Sequence, residues 1–402
     1  MMSKLMSDQP KEVKCLASCI RVLHCAGFLF DSPLWEGPEG WAKQRNQDLW
    51  QTFEALLSLC RSEKVEFLLL SGNLFEQEYV RKETVERVAK AFAKLDRTKI
   101  FIAPGERDPL VTTSAYRMAV WPSNVHIFLG GISSVKISPQ NVTIYGAGWI
   151  AYRQEEPFLD GFETTQDGTL QLMLLHAEVD SVKNTGKFIS IVPEQIASSG
   201  LTYLALGHQE VWSGIRQEGE TFWADCGSVE ARSFRESGPH GVLLGEIDNE
   251  SVRLEFRELG QRRYIELNLT IQSDMEGLIA KLLAETSPQE RQKNLFRIML
   301  SGPSLEVEAV IPVLQKILAE KFCYIEVLPS EGLPSQSEQD VVRPVPPTTR
   351  IEEGYPTLTQ IFVDKIQERL KRAESTEDSE HWELVQKIGL AALGQGREED
   401  EN

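Results

Sequence analysis

The chain has 402 residues, of which 41% are hydrophobic, and its formal net charge at pH 7 is -18. A chain of this length is too long for one ordinary domain, so two or three domains are expected. So acidic a chain repels nucleic acid and anionic membranes unless basic residues are locally concentrated, which argues against a nucleic-acid-binding module that acts alone.

The chain begins with a polar lead-in, residues 1–19, that lacks the apolar core of a signal peptide. No later run reaches membrane-spanning length. The six cysteines are scattered without a CxxC pair, which is typical of free thiols in a reducing compartment. We therefore expect a cytoplasmic protein.

Strands and helices alternate regularly over the next stretch. The predicted order is strand 20–26, helix 41–64, a strand from Val65 that ends at Ser71-Gly72, helix 82–95 and strand 99–103. The strand after Val65 is apolar at nearly every position, as expected for a strand buried on both faces in the middle of a parallel sheet. This alternation predicts a layered α/β sheet with right-handed crossovers.

From residue 125 the pattern changes to short strands without long helices. The predicted strands are 125–129, 131–137, 142–149, 170–176, 201–206, 222–225, 241–247 and 252–258. With the preceding alternation they complete a mixed α/β domain over residues 20–260.

A smaller α/β domain is predicted over residues 261–330, from two helices and two strands (276–285, 295–301, 305–320 and 322–328). Residues 331–355 are rich in proline, serine and glutamate and are typical of a linker. Residues 356–394 show apolar stripes at helical spacing, and residues 395–402 form an acidic tail. Such helices have little core of their own, so we expect their apolar residues to bind a partner: Leu358, Ile361, Phe362, Ile366, Leu370, Trp382 and Val385.

Polar residues follow several of the predicted strands directly. Asn73 and Glu76 follow the buried strand, and 106–108 (Glu-Arg-Asp) follow the next one. His176 and His208 end two later apolar runs. Because ligands bind at the carboxyl ends of strands in open α/β sheets, these residues predict a site.

These residues, in their order and spacing, resemble the calcineurin-like metallophosphoesterases. More narrowly they resemble the nuclease subunit of the SbcC–SbcD type, especially its YhaO-like bacterial relatives, which are DNA repair exonucleases. The stretches that carry this resemblance include LHCAGFLFDSPL and DCGSVEARSFRESGPHGVLLGEID. The resemblance implies a phosphoesterase sandwich with a small α/β cap domain and C-terminal helices.

That family holds two metal ions with motifs of the form DxH, GD, GNHD, H and GHxH, and this chain departs from most of them. His176, His208 and the last Asp of the third motif are kept. The departures stand at Gly27, Leu29, Asn73, Glu106, Arg107 and Glu210. The resemblance therefore implies a degenerate active site.

The departures remove both ligands and charge. A pair of dications needs an anionic bridging oxygen, and the carboxamide of Asn73 carries no charge. Where the family has an acidic His stands Arg107, whose guanidinium does not release its proton. We expect no pair of bound metals, with Arg107 as an electrostatic substitute for the missing cations. The alternative is one Mn or Zn ion held by His176, His208, Glu210 and Asn73.

The resemblance also implies partners. We expect a non-catalytic or weakly active subunit of a DNA repair or DNA-processing complex, bound to an SbcC-like coiled-coil ATPase and meeting DNA through that complex. The sequence leaves open whether the chain forms a homodimer, and we expect no membrane as a partner. The alternative function is a divergent metal-dependent DNA exonuclease or phosphodiesterase that uses a single metal site.

Overall fold

The structure is a computed structural model, and it describes residues 19–154, 159–165, 167–179, 190–271 and 274–330, together with Trp382 and Val385. The chain divides into two compact units, Met1–Gly332 and Leu333–Asn402. In the second unit Trp382 and Val385 are helical and half-buried. The other five predicted partner-binding residues, the predicted linker and the acidic tail lie outside the described residues.

The strands are β1 (Ile20–Cys25), β2 (Phe67–Leu70), β3 (Lys99–Ile102), β4 (Val125–Ile127), β5 (Ser133–Ile137), β6 (Val142–Gly146), β7 (Leu170–His176), β8 (Glu178–Val179), β9 (Ser190–Ile191), β10 (Tyr203–Gly207), β11 (Arg216–Glu218), β12 (Thr221–Asp225), β13 (Gly241–Ile247), β14 (Val252–Glu258), β15 (Tyr264–Thr270), β16 (Leu295–Ser301) and β17 (Tyr324–Pro329).

The α-helices are α1 (Ala42–Ser62), α2 (Lys82–Phe92), α3 (Pro193–Ser198), α4 (Met275–Glu285), α5 (Pro288–Lys293) and α6 (Ser304–Ala319). Short 3₁₀ turns lie at Ala115–Arg117, Ser138–Gln140 and Phe234–Glu236. Across the described parts of the chain, no helix is both long and apolar enough to cross a membrane. The five cysteines that the structure describes are all free thiols.

Two six-stranded mixed sheets form the larger part of the described fold. The first has the order β14-β13-β1-β2-β3-β4, and the second has the order β11-β12-β10-β7-β6-β5. In the first sheet β1 to β4 are parallel, and in the second β6, β7, β10 and β12 are parallel. The predicted mixed α/β class is confirmed, and two packed sheets are consistent with the calcineurin-like sandwich.

The central strands are buried on both faces, and alternate residues enter different cores. Phe67 and Leu69 of β2 pack in the core between the two sheets, whereas Leu68 and Leu70 pack against the side of the sheet that α1 and α2 cover. This two-sided burial explains why the sequence of β2 is continuously apolar rather than alternating. It also places the end of β2 in the middle of the sandwich edge.

A third sheet has three parallel strands, β15, β16 and β17, and packs against α4 and α6. The sequence pattern predicted β16 and β17 but not β15, whose sequence YIELNLT mixes apolar with polar side chains that are partly exposed. The predicted division of the chain into domains at residues 260 and 261 stays a prediction.

Candidate functional site

The candidate site lies at the edge of the sandwich where parallel strands of both sheets end. In the first sheet β1, β2 and β3 are followed by Gly27, Asn73 and Glu106. In the second sheet β7 ends at His176, and β10 is followed directly by His208. The strand ends that sequence patterns singled out therefore meet at one edge.

Glu106, His176 and His208 form a compact cluster, which we call the Glu106 group. Nε2 of His176 contacts Oε2 of Glu106 directly, and Nδ1 of His208 lies 3.7 Å from the same oxygen. Burial alone would raise the pKa of Glu106, but the two imidazoles outweigh burial and hold this pKa well below its usual value. At His176 burial lowers the pKa, and Glu106 more than offsets it, so the pKa rises. Both shifts favour the charged forms, an ionised Glu106 beside a protonated His176.

The ring of His176 is fixed from its other side by the main chain. Its Nδ1 lies 2.8 Å from the carbonyl oxygen of Ser71, so Nδ1 carries the donated proton and Nε2 faces Glu106. A Cβ at Gly72 would lie 2.3 Å from this Nδ1, and one at Gly105 would lie 2.8 Å from the ring carbons. Glycine at both positions leaves the space that the ring fills.

The amide of Asn73 makes hydrogen bonds within the site through both its nitrogen and its oxygen. Its Nδ2 donates to Oε1 of Glu106 at 3.2 Å, and its Oδ1 accepts the backbone N–H of Arg107 at 3.0 Å. The backbone of Asn73 has a φ of 54°, in the left-handed region that Asn tolerates better than most residues. The residue therefore supplies a neutral amide whose oxygen points at a backbone donor.

Asp108, which matches the last Asp of the third motif, accepts hydrogen bonds mainly from the backbone. Its carboxylate accepts N–H groups from four residues, at distances of 2.7 to 3.2 Å, and the hydroxyl of Tyr116 at 2.6 Å. The four backbone donors belong to Asn73, Leu74, Phe75 and Gly105. Both turns that carry site residues are thus tied to one carboxylate.

Gly27 and Leu29 shape the loop after β1, but their side chains offer no metal ligand at the edge. Gly27 and Leu29 have φ values of 66° and 49°, so both lie in the left-handed region. The N–H of Leu29 donates to the carbonyl of Asn73 at 2.9 Å, which ties the loop after β1 to the loop after β2. The hydrogen and isobutyl side chains at these positions cannot bind a cation.

Arg107, the predicted electrostatic substitute for the missing cations, pairs with the carboxylate of Glu76. Its Nε donates to Oε2 of Glu76 at 3.0 Å, and its Nη2 contacts the same oxygen. Burial raises the pKa of Glu76, and the Arg107 guanidinium acts against this rise. The pairing is present, while the role of Arg107 as a substitute for metal stays a prediction.

The structure does not bring Glu210 into the Glu106 group. The Glu210 side chain is exposed, its carbonyl accepts the N–H of Ser228 at 3.0 Å, and its charge helps to raise the pKa of Glu236. The sequence reasoning also missed Asp225, which ends β12; burial raises its pKa, and the charges of His176 and His208 act against this rise. Its position as the last residue of an apolar strand was the available signal.

A single cation fits the donors at this edge better than a pair does. Among the described residues, Glu106, His176 and His208 can each offer one ligand atom, and these atoms lie within 4.8 Å of one another. Two imidazoles and one carboxylate are a donor set suited to Zn or Mn. For a second ion Gly27 and Leu29 offer no donor, and the Asn73 amide, which brings no charge, already accepts one N–H at its oxygen.

No protein-family model matches the chain. Among curated proteins it is similar to the "Uncharacterized metallophosphoesterase YhaO" of Bacillus subtilis strain 168, with 23% identity over 302 residues, which span 71% of this chain and 72% of the relative. The chain is thus a distant relative of a metallophosphoesterase. The nuclease type, the loss of activity and the ATPase partner stay predictions.

Two solved structures also resemble part of the chain. One aligns with 61% of this chain and 100% of its own, at 13% identity and a TM-score of 0.39. The other, TT1561 of Thermus thermophilus, aligns with 57% of this chain and 98% of its own, at 11% identity and a TM-score of 0.35.

Proposed function

We propose that this chain is a metallophosphoesterase-like protein with a degenerate site. In this proposal it acts as a non-catalytic or weakly active subunit of a DNA repair or DNA-processing complex. The observation that carries the proposal is the amide of Asn73, which stands where the family has its bridging carboxylate. Its oxygen accepts the N–H of Arg107 and its nitrogen donates to Glu106. An anionic oxygen shared by two dications is what a two-metal centre requires at this point.

Charge balance within the site supports the same proposal. Glu106 is neutralised by His176, and Glu76 by Arg107. Two buried carboxylates are thus compensated by side chains of the protein itself, which reduces the attraction of the edge for dications. Arg107 also cannot donate a proton to a leaving oxygen, because its guanidinium stays protonated.

Metal content and DNA cleavage of the purified full chain test the proposal. We expect less than two equivalents of bound metal after incubation with Mn, and weak or no cleavage of single- or double-stranded DNA. His208→Ala serves as the diagnostic variant, and Glu54→Gln, at an exposed position of α1, is its matched control. Rapid, multiple-turnover DNA cleavage that disappears in His208→Ala and persists in Glu54→Gln would refute the proposal.

The second candidate function is a phosphodiesterase or DNA exonuclease that uses one metal, and the three donors of the Glu106 group favour it. A single bound Zn or Mn ion would supply Lewis acidity toward a phosphate oxygen. In this role Glu106 and His176 would exchange their mutual contact for contacts to the ion, and Ser71 would keep the His176 ring oriented. Rapid, multiple-turnover cleavage with one equivalent of bound metal in the experiment above would support this candidate.

The partner proposal rests on the sequence of residues 356–394. We propose that this segment binds an SbcC-like coiled-coil ATPase, and that DNA is met through the complex. With a net charge of -18, the isolated chain lacks the cationic surplus that phosphate contacts require, so we expect weak binding to duplex DNA at physiological salt.

Deletion of residues 355–402 tests the partner proposal, with the full chain as control and co-expression with an SbcC-like ATPase as the assay. We expect the deleted chain to keep its circular dichroism and its unfolding transition but to lose co-purification with the ATPase. A deleted chain that still binds the ATPase would place the interface elsewhere, and one that unfolds would place the segment in the core.

A further inference from the structure

Three polar side chains that the candidate site does not use form a buried network behind it. They are His24 of β1, Ser71 after β2 and Tyr203 of β10, and all three are fully buried. Nδ1 of His24 lies 2.9 Å from the hydroxyl of Tyr203, and its Nε2 lies 3.1 Å from Oγ of Ser71. The network joins the two sheets across the core between them.

The hydrogen bonds of this network determine which nitrogen of His24 carries the proton. Oγ of Ser71 donates its proton to the carbonyl of Ala205 at 3.1 Å, so it accepts an N–H from Nε2 of His24. Nδ1 of the neutral ring then accepts the hydroxyl proton of Tyr203. Burial lowers the pKa of His24 to about 3, in agreement with a neutral ring.

A Ser–His contact can also indicate an activated nucleophile, but the geometry here does not support that role. Ser71 and His24 are each 0% exposed, so no substrate reaches the hydroxyl. In an activated pair the serine hydroxyl donates to the histidine, whereas here it donates to the carbonyl of Ala205. The network is therefore interpreted as one that orients neighbouring groups rather than one that reacts with a substrate.

The group that it orients is the main chain of Ser71. The carbonyl of Ser71 accepts Nδ1–H of His176 at 2.8 Å, and its N–H donates to the carbonyl of Cys25 at 3.0 Å. With its hydroxyl held between His24 and Ala205, Ser71 cannot rotate without breaking buried hydrogen bonds. We propose that His24, acting through Ser71, is a positioning residue that holds the His176 ring with Nε2 toward Glu106.

This inference deepens the proposed function and rests on it only for the membership of His176 in the Glu106 group. It predicts that a hydroxyl on the second sheet, that of Tyr203, influences an imidazole that it does not touch. A role in packing alone would not produce such an effect, because Tyr203→Phe keeps the ring of the side chain and its apolar contacts.

Side-chain NMR of protein labelled with ¹⁵N-histidine tests the inference on the full chain, in the presence of a chelator. The chain has 6 histidines, so assignment by single substitutions is practical. The test variants are Ser71→Ala and Tyr203→Phe. The matched control is Tyr264→Phe, which removes another buried hydroxyl, one that donates to the carbonyl of Glu36 at 2.5 Å.

We expect His24 of the unmodified chain to show a proton on Nε2 only. In both test variants the Nδ1 proton of His176 should exchange with water about five-fold faster or more, the change expected for one hydrogen bond of about 1 kcal/mol. Tyr264→Phe should leave that exchange unchanged. The Nδ1 proton of His176 should exchange more slowly in His24→Gln, whose amide can donate to Ser71, than in His24→Leu.

Three outcomes would overturn the inference. They are a proton on Nδ1 of His24, unchanged exchange at His176 in both folded test variants, and an equal change in Tyr264→Phe. Because none of these signals depends on DNA cleavage, an active enzyme would refute the proposed function and leave the positioning role of His24 to be decided by the spectra.

Discussion

Replacement of Glu106 by glutamine should expose the energetic role of the buried ion pair. Glu106 is 5% exposed and His176 is 1% exposed, so water screens their interaction only weakly. Loss of one partner of a buried pair costs about 3–5 kcal/mol, and a glutamine that keeps one hydrogen bond recovers about 1 kcal/mol. We therefore expect Glu106→Gln to lower the free energy of unfolding by about 2–4 kcal/mol near pH 6.

The pH dependence of this loss follows from the two pKa shifts. Folding lowers the pKa of Glu106, so its contribution is present above the ordinary value of 4.5 and is lost as pH falls through the folded value. Folding raises the pKa of His176, so its contribution is full below the ordinary value of 6.5 and is lost as pH rises through the folded value. The difference in free energy of unfolding between the unmodified chain and Glu106→Gln should be greatest between pH 4.5 and pH 6.5, the two ordinary pKa values. It should shrink at alkaline pH.

Urea unfolding of both chains in the presence of a chelator, at about pH 6 and about pH 9, measures the effect. The control is Glu54→Gln, which removes an exposed carboxylate from α1 and should change the free energy of unfolding by less than about 0.5 kcal/mol. The same deficit at both pH values, or no deficit at either, would refute the ion pair.

Three further changes test other parts of the edge. Arg107→Gln leaves the buried carboxylate of Glu76 without its guanidinium partner and should lower the free energy of unfolding by about 1–3 kcal/mol at pH 7. The loss should be smaller near about pH 4, and thermal unfolding at both pH values measures it. Burial beside another carboxylate raises the pKa of Glu236 to about 8 from 4.5, so stability should fall as pH rises between these values. Glu236→Gln should remove that fall, by up to about 1.4 kcal/mol per pH unit, in urea unfolding at several pH values. Tyr116→Phe removes the hydroxyl that Asp108 accepts but keeps the packed ring, and it should cost about 1–3 kcal/mol in urea unfolding; an unchanged free energy of unfolding would contradict this role of the hydroxyl.

The sandwich could be predicted from the sequence because its strands are buried on both faces. Continuous apolar runs such as the one in β2 follow from that burial, and so does the position of the edge where they end. β15 gave no such signal, because it is the first strand of its sheet order and three of its seven residues are polar. The observed ends of elements also differ from the predicted ends by a few residues. The strand predicted from Val65 begins at Phe67 instead, because the N–H of Val65 completes the turn after α1.

The candidate site could be predicted only in part. Position along a strand identifies the edge at which a residue lies but not the direction of its side chain. For that reason the carboxylate expected at Glu210 is exposed, and Glu106 takes its place beside the histidines. The contacts of His24 with Ser71 and Tyr203 join residues 47 and 179 positions apart, so no local pattern indicates them.

Asp108 matches a residue of the third motif, and its contacts in this structure are with two loops. Its two oxygens hold the loops that follow β2 and β3, and this task is independent of whether a metal is bound nearby. Side chains at the tips of those loops can differ from the family motifs while the loops still require the supporting carboxylate. In a chain of this kind, signature residues fall into two groups, those that build the loops and those that meet the ligand, and only the second group reports on activity.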